Sequence, residues 1–230
     1  RREGYEIEVS RPQVILREEE GETLEPVEEL VIEVDPAYQG AVIQALGGRR
    51  AEMKKMHSSV SGTVRLEFLI PSRALIGFRS EFLLMTRGTG MMYQNFFEYQ
   101  KFKGELPKRQ SAVLISQSQA KAVAYALWGL QDRGEIFIRP GDDIYEGMIV
   151  GVNNKGNDLV VNAEREKKLT NMRAAGADEA IQLIPPREMT LEFALEFIED
   201  DELVEITPKN IRLRKRYLTD NARRTARRGN

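Results

Sequence analysis

The 230-residue chain has no cysteine, one histidine and one tryptophan. Without cysteine there can be no disulfide and no thiolate metal site. This fits a reducing cytoplasm, which is the expected location. The single histidine, His57, cannot build a histidine-rich metal centre, and no neighbouring residues suggest a Ser-His-Asp order. No glycine is followed by lysine, so the phosphate-cradling loop of nucleotide triphosphatases is missing. No apolar run approaches the ~20 residues of a membrane-spanning helix, and no signal-peptide pattern is present. The net charge is only −2, so the total charge calls for no polyanionic partner. Two motif-like stretches also fail. Asn154-Lys155-Gly156-Asn157-Asp158 places its aspartate one residue late for a guanine-specificity motif, and reads as a turn. Gly88-Thr89-Gly90 lacks the third glycine of a dinucleotide fingerprint. The carboxylates at 196–202 lack the glycine turn of a calcium loop. No catalytic, cofactor-binding or metal-binding residue is assigned.

What is present begins with a hydrophobic content of 41%, enough for real cores. The charge is segregated. Acidic residues crowd positions 18–29 and 188–205, whereas the C-terminal stretch from Lys209 carries arginine and lysine almost alone. Arg212, Arg214, Lys215 and Arg216 therefore form a candidate polyanion-binding surface. On charge alone, the simpler reading is a solvated face and a frayed basic tail.

Pro71 to Gly90 organises the middle of the chain. Ser72 can cap a helix. Leu75, Phe78, Phe82, Leu83 and Thr86 recur at helical spacing, and Gly88 and Gly90 end the run. Before it, Val64, Leu66, Phe68 and Ile70 alternate with polar residues as in a half-buried strand. Met92 to Tyr99 is aromatic-rich and strand-like. Upstream come a strand at Leu30–Val34, a helix at 37–46 and a weaker strand at 50–57. The order is βαββαβ, the ferredoxin-like arrangement, with two helices on one face of a four-stranded sheet.

The flanks are less regular. Tyr5 to Leu16 reads as a strand interrupted by Pro12 that belongs to an absent preceding domain or docks on the next one. Residues 18–26 read as a linker. Beyond residue 108 the pattern predicts strands at 112–116, 135–139, 148–152, 158–162, 181–184, 204–207 and 211–213. The pair at 148–162 is joined by an Asn/Gly turn. Helices are expected at 120–130, with Trp128, and at 191–198 after a Thr190 cap. The tail from Asp220 is expected to be disordered. The fold class is α+β: a ferredoxin-like domain followed by an α+β domain built on a small, barrel-like sheet. The expected divisions are 1–22, 23–107 and 108–230.

One loop has suggestive chemistry. Arg165, Lys167, Lys168 and Arg173 can reach phosphates, and Asn171 can hydrogen-bond sugar or base edges. Ala174-Ala175-Gly176 permits close backbone approach. An ordinary solvated loop has the same composition.

Several runs carry a resemblance. Pro71-Ser72-Arg73-Ala74-Leu75-Ile76-Gly77-Phe78-Arg79-Ser80-Glu81-Phe82, Gly129-Leu130-Gln131-Asp132-Arg133-Gly134, Lys167-Lys168-Leu169-Thr170-Asn171-Met172-Arg173-Ala174 and Asp201-Glu202-Leu203-Val204-Glu205-Ile206-Thr207-Pro208 together resemble the BipA/TypA family of translational GTPases. Ser10 to Ile15 resembles the last strand of that family's domain III. The βαββαβ unit resembles domain V, shared with elongation factor G, and the remainder resembles the C-terminal domain particular to the family. The resemblance implies a C-terminal fragment that binds the ribosome and serves stress adaptation and 50S subunit assembly. GTP and Mg²⁺ would belong to a missing N-terminal domain, with no enzymatic activity in these residues. The implied partners are large-subunit rRNA and the A-site tRNA acceptor arm, met through Arg165, Lys167, Lys168, Asn171 and Arg173. A monomer with no membrane partner is expected. The alternative is a protein-interaction scaffold with no nucleic-acid role.

Overall fold

The computed structural model describes residues 4–58, 62–106, 112–166 and 182–228. The chain divides into two compact units, one of residues 12–108 and the other of residues 1–11 with 109–230.

The first unit is the ferredoxin-like one. Strand β3 (Glu22–Val34) is its centre. It pairs antiparallel with β5 (Val64–Pro71) on one side and with β6 (Met91–Lys101) on the other. Strand β4 (Glu52–Ser58) pairs with the outer side of β5, giving the order β6-β3-β5-β4. Even-numbered residues of β3 and β5 (Leu30, Ile32, Val34, Val64, Leu66, Phe68, Ile70) all face one way, into a single buried cluster. Val42 and Leu46 of helix α1 (Pro36–Gly48) and Phe78 and Phe82 of helix α2 (Phe78–Met85) join that cluster. Both helices therefore cover the same face, as the strand period of two requires. Helix α1 starts where the Asp35 carboxylate accepts the amide of Ala37, with Pro36 at the first turn.

The stretch after Pro71 is not one capped helix. Ser72–Leu75 is a short 3-10 turn without a side-chain cap, Ile76 is extended, and Gly77 is left-handed at φ 75°. Only then does α2 begin. Glycine takes this conformation without a Cβ penalty. The break frees carbonyl groups that a continuous helix would use internally. Arg49 at the end of α1 donates to two of them, Ala74 O at 2.7 Å and Ile76 O at 3.3 Å, and pairs with Glu81 at 2.6 Å. Leu83, expected inward, is exposed. Arg87 and Gly88, both left-handed, end the helix. Gly90 serves a different purpose: a Cβ there would lie 2.4 Å from the Phe82 ring.

Residues 18–26 are not a linker. Strand β2 (Arg17–Glu19) turns through Glu20 (φ 52°) and Gly21 (φ 82°) and pairs back on the start of β3. Two consecutive left-handed residues make the tight turn that suits a hairpin's twist. Glu25 then points inward and is fully buried. The Arg73 guanidinium donates to it at 2.5 and 3.3 Å, and the Lys103 amide donates at 2.7 Å.

The second unit contains a six-stranded sheet of order β1-β12-β13-β10-β7-β11. These are β1 (Ile7–Val9), β7 (Ala112–Ser116), β10 (Met148–Asn153), β11 (Leu159–Val161), β12 (Glu202–Ile206) and β13 (Ile211–Lys215). All neighbours are antiparallel except β11, which runs parallel to β7. Strand β1 pairs with β12, so it extends this sheet rather than that of residues 12–108. The Asn/Gly stretch after β10 does not close a hairpin, because β7 lies between β10 and β11. The expected strand at 135–139 reduces to one bridge, Ile136 with Gly151. Residues 182–184 form no strand.

Strand β7 is buried along its whole length because the sheet is covered on both faces. Leu114 and Val150 face one core with Leu127 and Leu130 of helix α3 (Ala124–Gln131). Val113, Ile115 and Ile149 face another with Ala194 of helix α4 (Leu191–Phe197). Thr190 caps α4 as expected, accepting the Phe193 amide at 3.2 Å. A two-stranded piece pairs β8 (Ala120–Lys121), just before α3, with β9 (Asp143–Ile144), which follows it. The C-terminal stretch is helix α5 (Asp220–Arg228), not a disordered tail.

Phe82→Ala removes a ring that is fully buried and in contact with Phe78 at 6.0 Å between centroids. Urea unfolding should show a loss of about 3–5 kcal/mol. A loss under about 1 kcal/mol would mean that α2 does not pack as described.

Candidate nucleic-acid interface

Of the five loop residues assigned from sequence, Arg165 is described and exposed, whereas Lys167, Lys168, Asn171 and Arg173 lie outside the described residues. The chain on either side of them is well anchored, and both anchors are on α3. On the entry side, β11 leads to Ala163, which is buried in the α3 core. Its carbonyl accepts the Val123 amide at 2.9 Å, immediately before α3 starts. The Asn162 side chain holds the Glu164 amide at 3.0 Å, and Glu164 in turn accepts the Ser118 hydroxyl at 2.7 Å. Arg165 and Glu166 then face solvent. On the return side, Gln131, the last residue of α3, clamps Ile184. Its amide nitrogen donates to the Ile184 carbonyl at 2.8 Å, and its oxygen accepts the Ile184 amide at 3.3 Å. The segment thus leaves at the head of α3 and returns at its foot.

The second group, Arg212, Arg214, Lys215 and Arg216, does not act as one surface. Strand β13 alternates, so Leu213 and Lys215 share one face and are buried, while Arg212 and Arg214 share the other and are half-buried. Lys215 is buried and its ammonium is ringed by carboxylates: Asp158 at 2.8 Å, Glu202 at 2.9 Å and Asp201 at 3.0 Å. It is therefore withdrawn from the list of phosphate-binding candidates. Burial alone would lower its pKa. The Glu202 charge and the hydrogen bonds to Asp158 and Glu202 outweigh that and hold it above the usual lysine value. Arg214 is paired with Glu8 across the sheet. Arg212 is half-buried, and Arg216 is exposed. The two-residue period of Ile211-Arg212-Leu213-Arg214-Lys215 already carried this signal: a lysine in register with Leu213 goes inside.

In α5, the Arg223 guanidinium is buried against the Tyr217 carbonyl at 3.1 Å and the Leu218 carbonyl, and Arg224 pairs with Asp220 at 2.8 Å. Tyr145 is half-buried, and its hydroxyl donates to the Glu205 carboxylate at 2.9 Å. Burial, then the charge and hydrogen bond of Glu205, push its phenol well above the usual tyrosine value.

Residues 111–220 match the model of the TypA/BipA C-terminal domain, and residues 22–110 match that of the elongation factor G C-terminus. Along its full length the sequence is 56% identical to the large ribosomal subunit assembly factor BipA of Salmonella typhimurium, covering 38% of that protein. The chain belongs to the TypA/BipA family. It is also 56% identical over 99% of its length to the protein of that name from Escherichia coli K12, and 52% identical to that from Haemophilus influenzae. These matches cover 38% and 37% of those relatives.

Two of the runs that resembled the TypA/BipA family have structural tasks here. Arg73 in Pro71–Phe82 holds buried Glu25. Asp201 and Glu202, which open the run to Pro208, form most of the cage around Lys215.

Lys215→Met should cost about 3–5 kcal/mol in stability, because buried carboxylates lose their counter-charge. The folded pKa of Lys215 lies above the unfolded value of 10.5, so the folded state holds this proton more tightly. Its contribution is complete below that pH and is lost as pH rises through the folded value. The stability gap between wild type and Lys215→Met should therefore narrow in unfolding series run above that pH. A gap that stays constant into that range would overturn the cage.

Proposed function

We propose that these residues form the ribosome-binding part of a translational GTPase, contacting large-subunit rRNA and the A-site tRNA acceptor arm through the segment that begins at Arg165. The observation that supports this most is the anchoring of both ends of that segment on α3. The stretch gathers Arg165, Lys167, Lys168 and Arg173 in its first half, with Glu166 among them and Asp178 and Glu179 following; a backbone hydrogen bond from Val123 holds its entry and the Gln131 side chain holds Ile184 at its return. Relatives that share more than half of its residues are named large ribosomal subunit assembly factors, which supports a role in 50S assembly and a cytoplasmic setting. No helix among the described residues is long and apolar enough to cross a membrane.

The residues present do not fit GTP or Mg²⁺. The Gly-Lys step of a phosphate loop is missing, and among the described residues no group of three or more acidic or histidine side chains is placed to hold a metal. Nucleotide hydrolysis is assigned to parts of the protein outside this sequence. Titration of this chain with GTP and Mg²⁺ in a calorimeter should give no saturable heat. Micromolar binding would overturn the assignment.

The RNA contact is tested by salt. If Lys167, Lys168 and Arg173 each neutralise a phosphate, removing all three should flatten the slope of log affinity against log salt by about two to three units. Asn171→Ala should weaken binding with the slope unchanged, since an amide releases no counterion. Ribosome co-sedimentation across a salt series measures both. Unchanged affinity and slope in the triple variant would favour a protein-interaction scaffold instead.

A further inference from the structure

We propose that the cavity between helix α5 and strand β11 is a binding site for a phosphate group, held by Arg223 and Arg224. The site uses no residue of the segment that begins at Arg165.

The cavity has a volume of about 350 Å³. Ile115 of β7 and Val160 of β11 lie on its apolar side, and Asp158, Asp220, Arg223 and Arg224 on its polar side. Arg224 is exposed, so the cavity reaches the surface there. Arg223 lies deeper, with a side chain only 8% exposed. One end of its guanidinium, Nη1, is spent on the Tyr217 and Leu218 carbonyls. Its other donors, Nε and Nη2, hydrogen-bond to no described residue, and Asp220 stands 3.7 Å from Nη2. A buried charged group keeps donors idle only at a cost. An oxyanion in the cavity would take them up.

The nearby acids do not fill that place. Asp158 is taken by Lys215 at 2.8 Å and by the Val113 amide at 3.2 Å. Asp201 and Glu202 belong to the same lysine cage. Asp220 pairs with Arg224 at 2.8 Å, so one carboxylate serves two guanidinium groups and both converge on it. Arg228, one turn beyond Arg224, is exposed and adds to the cationic side. A carboxylate is matched by the fork of a single guanidinium. A phosphate has oxygens enough to accept from Arg223 inside and Arg224 at the mouth together. The cavity is larger than a bare ion needs, and its apolar side leaves room for the organic group that carries the phosphate. That group is a nucleotide unit of an RNA strand or a free small molecule.

Arginine Nε–H signals in heteronuclear NMR spectra of the chain report on both residues. Inorganic phosphate should shift the Arg223 and Arg224 signals along a saturating curve, with a dissociation constant on the order of a millimolar because Asp220 competes for both groups. Binding this weak does not register as micromolar affinity for GTP. Chloride at the same ionic strength should leave the signals in place. Arg224→Gln, at an exposed position, should weaken phosphate by roughly 10-fold. Val160→Phe, which fills the cavity and keeps every charge, should weaken it as well. Equal shifts with chloride, or unchanged affinity in either variant, overturn the site. A uridine hexanucleotide and glycerol phosphate, each competed against inorganic phosphate, separate the sources. If the phosphate belongs to an RNA strand, the hexanucleotide displaces at the lower concentration and Arg228→Gln weakens it alone. If the ligand is a free small molecule, glycerol phosphate displaces and the hexanucleotide does not. Displacement by neither overturns the proposal.

Discussion

The burial of one face of α3 is the constraint on which the candidate interface depends. Leu127 and Leu130 are held in the same cluster as Ala163, Val150 and Val161. Fully burying an aliphatic side chain contributes about 1.5–3 kcal/mol. Several such residues on an eight-residue helix make its position firm where its own propensity would not, since helices this short are marginal alone. Both hydrogen-bonded roots of the basic segment inherit that firmness. Without it, Gln131 and Val123 would have no fixed place from which to grip Ile184 and Ala163.

Charge is used inside the fold as well as on its surface. Among the described residues, each compact unit buries one carboxylate completely and neutralises it with a basic group: Glu25 with Arg73 in the first, Glu202 with Lys215 in the second. Such pairs add little net stability compared with apolar residues, but losing one partner leaves a stranded charge. They also tie distant parts of the chain together. Glu25 joins β3 to the turn after β5 and to the chain past β6. Lys215 joins the β12–β13 hairpin to Asp158 at the entry to β11. The near-neutral total charge thus conceals cations of two kinds. Some are consumed by the architecture, like Lys215, Arg73 and Arg214. Others, like Arg165 and Arg216, face solvent.

Membership of the TypA/BipA family and the fold of each unit agree with one another. The match to the elongation factor G C-terminus covers the ferredoxin-like unit, and the TypA/BipA C-terminal model covers most of the other. The chain spans 38% of the length of the first curated relatives it matches.

Sequence alone determined the βαββαβ order, the single helical face of its sheet, the Thr190 cap and the inward turn of Phe78 and Phe82. Each follows from spacing within one element, where a period of two or 3.6 reads directly as a face. It also supplied the family, through long runs in correct order. Tertiary structure decided what depends on neighbours far along the chain. Glycine at position 77 is legible as a breaker, but the break persists because Arg49, distant in sequence, donates to the freed carbonyls. The Asn/Gly turn after β10 looked like a hairpin, yet β7 pairs with both arms because its two faces are apolar. Four adjacent basic positions looked like one surface. Their alternation, with a carboxylate cage assembled from two distant segments, separated Lys215 from the rest. The loop cations were visible as chemistry, whereas their base on α3 was not. Hydrogen bonds from Val123 to Ala163 and from Gln131 to Ile184 join residues that no local pattern links, and only packing of α3 on its sheet brings them together.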